Sequence, residues 1–110
     1  MKSYTDIEQS KKLAEILPIE SADMGWYYSR NPEAARTQMW VGTKADNADI
    51  PCWSLSALLG VLPKSLIYTP NQALDGYCCK NIMHDLETYG DNPIDACYEM
   101  IIKLHEQKLL

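Results

Sequence analysis

Phenylalanine is absent from this 110-residue chain, glycine occurs five times and histidine twice. The glycines are scattered, so no Gly-rich loop is available to cradle a phosphate. Neither HExxH nor GxSxG occurs, which removes the signatures of a zinc protease and of a nucleophile elbow. Positive charge is scarce: ten Lys and Arg against fifteen Asp and Glu leave a net charge of −5. Such a surface repels phosphate backbones and anionic membranes, and no basic stretch offsets it. Long apolar runs are missing as well. The longest, Ala57–Leu62, is far short of the ~20 residues that cross a bilayer, so no membrane contact is expected. Behind Met1-Lys2-Ser3-Tyr4-Thr5-Asp6 there is no apolar segment of a secretory signal. A cytoplasmic location follows as the expectation, with Cys52, Cys78, Cys79 and Cys97 as free thiols.

The remaining composition, 46% hydrophobic and 23% charged, is that of one ordinary globular domain spanning residues 1–110. Thr5-Asp6-Ile7-Glu8 fits a capping box, with Thr5 as the cap. Leu13, Ala14 and Leu17 follow at helical spacing, Ile16 widens the stripe, and Pro18 stops the helix. Asp23–Gly42 predicts a hairpin, with Met24, Trp26 and Tyr28 alternating in one arm and Met39, Trp40 and Val41 in the other. Its turn falls in Ser29–Ala35, and Thr43–Asp49 is a polar loop. Leu55, Leu58, Leu59 and Leu62 match the i, i+3, i+4, i+7 helix template, capped by Ser54, stapled by Trp53 and ended by Pro63. Ser65–Thr69 and Leu74–Ile82 predict strands joined by a turn at Thr69-Pro70-Asn71-Gln72, with a third short strand over Leu86–Tyr89. Asn92-Pro93 opens a last helix with stripe Ile94, Cys97, Ile101 and Leu104 and a Glu99–Lys103 ion pair. The order is α-β-β-α-β-β(-β)-α, a small antiparallel sheet with three helices: an α+β fold.

Several residue groups are candidates for chemistry. Cys78, Cys79 and His84, with Cys97 and His105 beyond them, are metal-ligand types. Structural zinc sites, however, pair their ligands two to four residues apart, twice, and here Cys78 and Cys79 are adjacent. No metal or other cofactor is therefore expected. The same thiols, with His84 or His105 as base and Asp85 as orienter, spell out a nucleophile on paper, but no thiol-enzyme signature surrounds them. Among the carboxylates Asp85, Glu87, Asp91 and Asp95, the last two are explained by the start of the final helix, where negative charge suits the macrodipole. Asp46-Asn47-Ala48-Asp49 lacks the glycine and the terminal glutamate of an EF-hand loop. No enzyme class gains positive support.

Aromatics are the remaining signal: seven Tyr and three Trp, each with a polar handle suited to half-wet positions. Trp26, Tyr28 and Trp40 are the candidate partner-binding residues, through a stacking platform on the hairpin. Such a platform in single-strand binders comes with a basic groove, which the charge balance does not supply. Tyr, Trp, Met and Arg are also the residues that concentrate in protein interfaces. A protein partner, or a second copy of the chain, is the expected ligand.

Glu8-Gln9-Ser10-Lys11-Lys12-Leu13, Ala22-Asp23-Met24, Ile50-Pro51-Cys52-Trp53-Ser54-Leu55, Leu58-Leu59, Leu62-Pro63 and Asn92-Pro93-Ile94-Asp95-Ala96-Cys97 resemble a group of short proteins from the prophages and mobile elements of gut bacteria. The resemblance runs in patches over nearly the whole chain. It implies a mobile-element setting and a small accessory protein, and since the group has no assigned activity it carries over no functional residue. The leading expectation is thus a non-enzymatic cytoplasmic accessory protein that binds another protein. A small metal-dependent or thiol enzyme around Cys78, Cys79, His84 and Asp85 is the alternative. A nucleic-acid-directed regulator is a third, with only Lys2, Lys11, Lys12, Lys103 and Lys108 to offer as a basic face.

Overall fold

The computed structural model describes residues 2–28, 39–69 and 76–110. It is an α+β fold in the expected order: α1 (Ile7–Ala14), a 3-10 turn (Ile19–Ser21), β1 (Met24–Tyr28), β2 (Met39–Gly42), β3 (Ile50–Cys52), α2 (Leu55–Val61), β4 (Ser65–Tyr68), β5 (Tyr77–Asn81), β6 (Leu86–Gly90) and α3 (Pro93–Glu106). The short β3 joins the two arms of the hairpin, and the strands form two antiparallel three-stranded sheets, β2-β1-β3 and β4-β5-β6. The turns expected over residues 29–35 and 70–72, and the start of a strand at 74, lie outside the described residues.

The main core is built by the three helices and one face of the second sheet. Leu13 and Leu17, Trp53, Leu58 and Leu62, Cys79, and Ile94, Cys97, Met100, Ile101 and Leu104 are all buried in one cluster. Ser54 caps α2 as expected, accepting the Ala57 N–H, and is itself held by Asp23, whose carboxylate takes the Ser54 backbone N–H (2.9 Å) and hydroxyl. Asn92 caps α3 with Pro93 just inside it, accepting the Asp95 N–H at 2.9 Å. Helix α3 crosses β6 so closely that a Cβ at Gly90 would meet the Ala96 nitrogen at 2.5 Å.

Three local expectations are corrected. The cap of α1 is Asp6 and not Thr5: Asp6 Oδ1 accepts the Gln9 N–H (2.8 Å) and Gln9 Oε1 accepts the Asp6 N–H (3.2 Å). Thr5 is instead drawn into the interior by pairing with Trp53, donating its N–H to the Trp53 carbonyl (3.0 Å) and accepting the Trp53 N–H at its hydroxyl (3.1 Å). The helix also ends at Ala14, well before Pro18. Finally, Lys103 does not pair with Glu99; its ammonium turns to the Glu87 carbonyl at 3.5 Å.

The first sheet attaches through β3, which packs on α1. The molecule measures 49 × 31 × 20 Å with a radius of gyration of 15.0 Å, more drawn out than the roughly 13 Å of a compact 100-residue globule. Among the described residues, no helix is long and apolar enough to cross a membrane.

Candidate functional site

The β4-β5-β6 sheet has two faces of different fate. Alternation along the strands sends Ile67, Cys79 and Thr88 inward to α3, where the Thr88 hydroxyl donates to the Ala96 carbonyl at 2.8 Å. The opposite face carries two cross-strand rows, Tyr68–Cys78–Tyr89 and Leu66–Lys80–Glu87. On a sheet with one solvated face, that face is ordinarily polar. Here Leu66 is 41% exposed, Tyr68 36% and Tyr89 60%. The turn of the same hairpin adds Ile82 and Met83, both more than half exposed. No described helix packs on this side.

Polar groups on the face are tied to one carboxylate. Glu87 accepts the Tyr89 hydroxyl at 3.0 Å, lies 3.6 Å from the Lys80 ammonium, and accepts the Cys78 thiol at 3.9 Å. Hydrogen bonding to Glu87 pushes the Tyr89 phenol up, and the Cys78 sulfur, burial and Glu87 together do the same for Tyr68. The Tyr89 hydroxyl is the donor in its bond to Glu87. The arrangement fixes two rings over Cys78, which is fully buried beneath them.

The aromatic residues of the hairpin do not form one platform. Tyr27, not Trp26 or Tyr28, stands opposite Trp40 in the register and stacks on it, with ring centroids 4.7 Å apart and planes at 20°. Trp26 and Tyr28 lie on the other face with Val41 and Met39. The Trp26 indole N–H donates to the Thr5 carbonyl (3.2 Å), and its ring meets Tyr4 edge-on. Tyr28 and Trp40 are both about half exposed. The Tyr27 hydroxyl reaches the Lys44 and Asp46 carbonyls at 2.7 and 2.8 Å, and Asp49 takes the Tyr28 N–H at 2.7 Å. The polar residues of the 43–49 loop thus have structural duties.

The thiols and imidazoles are dispersed. Cys78 and Cys79 point to opposite faces of β5 and cannot share an ion, and all four cysteines are buried and free. Cys79 and Cys97 meet across the core, and contact with the Cys79 sulfur, followed by burial, pushes the Cys97 thiol well up. The His84 backbone N–H is held by the Asn81 side chain at 2.9 Å, and His105 is exposed near the end of α3. Asp85 stands 3.7 Å from Lys80. Among the described residues, no three His, Cys, Asp or Glu side chains gather where they could hold a metal ion.

Leu66, Tyr68 and Tyr89 escaped the sequence reading because Leu66-Ile67-Tyr68 is apolar on both faces. Such a run predicts a strand without saying which face is covered. Comparison with protein-family models, with curated proteins and with solved structures gives no match to the chain.

Proposed function

We propose that the chain is a non-enzymatic accessory protein that acts by binding another protein through the outer face of the β4-β5-β6 sheet. One observation carries the reading: this face presents Leu66, Tyr68 and Tyr89 to solvent although its other side already packs on the core. The apolar side chains flank a charged row, Lys80 on the central strand with Glu87 beside it and Asp85 at the turn, and exposed apolar side chains grouped on one face mark a protein-binding surface. The partner it suits offers apolar groups to Leu66, Tyr68 and Tyr89 and charges complementary to Lys80 and Glu87. A cytoplasmic, prophage or mobile-element setting is part of the proposal, on the resemblance of the segments named above.

Nothing specific favours the other two readings. Buried thiols on opposite faces weigh against a centre at Cys78, Cys79 and His84. Of the candidate basic face, Lys2 lies 3.0 Å from Asp6 and 2.9 Å from Asp95, and Lys11 and Lys12 each lie 4.0 Å from a glutamate. Much of their charge is spent within the molecule.

Photo-crosslinking in cells tests the proposal. Tyr68→p-benzoylphenylalanine is expected to give a discrete protein adduct, which Leu66→Glu in the same chain abolishes. An adduct of twice the chain mass identifies the partner as a second copy. If position 68 yields no more adduct than the same group placed at Glu20, the proposal fails.

A further inference from the structure

Beside the open face, the outer edge of β6 and the flank of α3 enclose an elongated groove of about 670 Å³. It rests on a strand edge: among the described residues, β6 has β5 on one side and no strand on the other. The Glu87 carbonyl is turned outward, where the Lys103 ammonium approaches to 3.5 Å. Backbone groups on one side of a strand belong to alternate residues, so Tyr89 presents its N–H and C=O at the same edge. Opposite them, Asp95, Glu99 and Glu106 line α3, Asp91 closes one end, and Lys103 is the cation among the lining residues. Asp95 is already engaged with Lys2, Gln9 and Asn92; Glu99 and Glu106 are exposed.

We infer that this groove takes an extended, lysine- or arginine-bearing peptide segment of the partner, added as a strand to the edge of β6. The edge supplies main-chain hydrogen bonds without regard to sequence, and the carboxylates of α3 select basic side chains. Asp95 to Glu106 spans about 16 Å of helix, the length of about five extended residues. Lys103 is the guard of the edge: its ammonium occupies the place on the Glu87 carbonyl that an incoming N–H takes. A lysine at an unpaired edge is a known protection against indiscriminate pairing. The inference rests on the protein-binding reading and adds the class of partner. Tyr89 joins the groove to the open face, so one partner can engage both.

The test is an NMR titration of the full chain with an acetylated heptapeptide of alternating lysine and valine. Saturable shifts are expected at the amides of Glu87, Tyr89 and residues 95–106. Replacing lysine by glutamate in the peptide, or N-methylating its alternate amides, is expected to weaken binding by about tenfold or more. Glu99→Lys weakens binding as well, whereas Lys103→Gln strengthens it; Glu99 is exposed and Lys103 half-buried on α3, and an unchanged amide spectrum away from the groove checks that each variant keeps the fold. No saturable shift, shifts elsewhere, or equal binding of the N-methylated peptide overturns the groove. If the groove fails while the crosslink at position 68 forms, the binding-protein reading stands without it. Loss of that crosslink overturns the reading itself.

Discussion

Thr5 shows how one side chain can be claimed by two roles. Its carbonyl accepts from the Trp26 indole, the Cys52 thiol (3.4 Å) and the Ser10 hydroxyl (3.4 Å), and its own hydroxyl lies 2.7 Å from that of Ser10. This buried hub ties α1, β1 and β3 together. Thr5→Val removes the acceptor of the Trp53 N–H and is expected to cost about 1–3 kcal/mol in urea denaturation, with Thr5→Ser recovering most of it. Thr5-x-x-Glu8 and Asp6-x-x-Gln9 are both capping boxes by spacing. What chooses between them is the long-range pairing of Thr5 with Trp53, which no local pattern contains. Asn81 is a second such residue. Fully buried, it donates to the Pro63 carbonyl (2.8 Å) and the Ser65 hydroxyl (3.0 Å) and accepts from His84. The four buried thiols give a further expectation at this scale: a disulfide-exchange reagent such as dithionitrobenzoate labels none of them rapidly in native protein and all four in guanidinium.

At the scale of elements, the start and the buried stripe of α3 were legible. Asn92 and Pro93 mark its start, Lys103 and His105 sit in its last turn, and Ile94, Cys97, Ile101 and Leu104 are all buried. Its docking was not legible, because it depends on the missing side chain at Gly90. Gly90→Ala drives a methyl into the α3 backbone and is expected to destabilise by about 1–3 kcal/mol, read as a fall in melting temperature. The start of α3 is also tied to the N-terminal segment through Lys2 and Asp95. Burial alone would raise the Asp95 carboxyl, but Lys2, Gln9 and Asn92 hold it below its ordinary range. A depressed carboxyl contributes stability that is present above its unfolded value and lost as pH falls through the folded one. Asp95→Asn is therefore expected to be less stable than the wild type at pH 7. The gap between their melting temperatures closes as pH falls below about 4. Lys2, held above its ordinary value, keeps its share until strongly alkaline pH.

At the scale of the whole molecule, the sheet divides in two, and only one half joins the main core. The order of elements could be read from periodicity, since helical stripes and turn residues are local signals. The division, and the choice of which sheet face is covered, could not. Strands of four or five residues with apolar side chains on both faces look alike whether they are sandwiched or half-open. The hairpin aromatics met the same limit from the other side: Trp40 finds its partner in Tyr27, one residue away from the alternation that singled out Trp26 and Tyr28. The central claim is that the outer face of β4-β5-β6 is left open for a partner and is not part of the fold's own packing. Thermal denaturation of Leu66→Ser and Tyr89→Ser beside Ile101→Ala tests it most directly. The two face variants are expected to stay within about 1 kcal/mol of the wild type, and the core variant to lose about 2–5 kcal/mol. Face variants that lose as much as Ile101→Ala would contradict the claim.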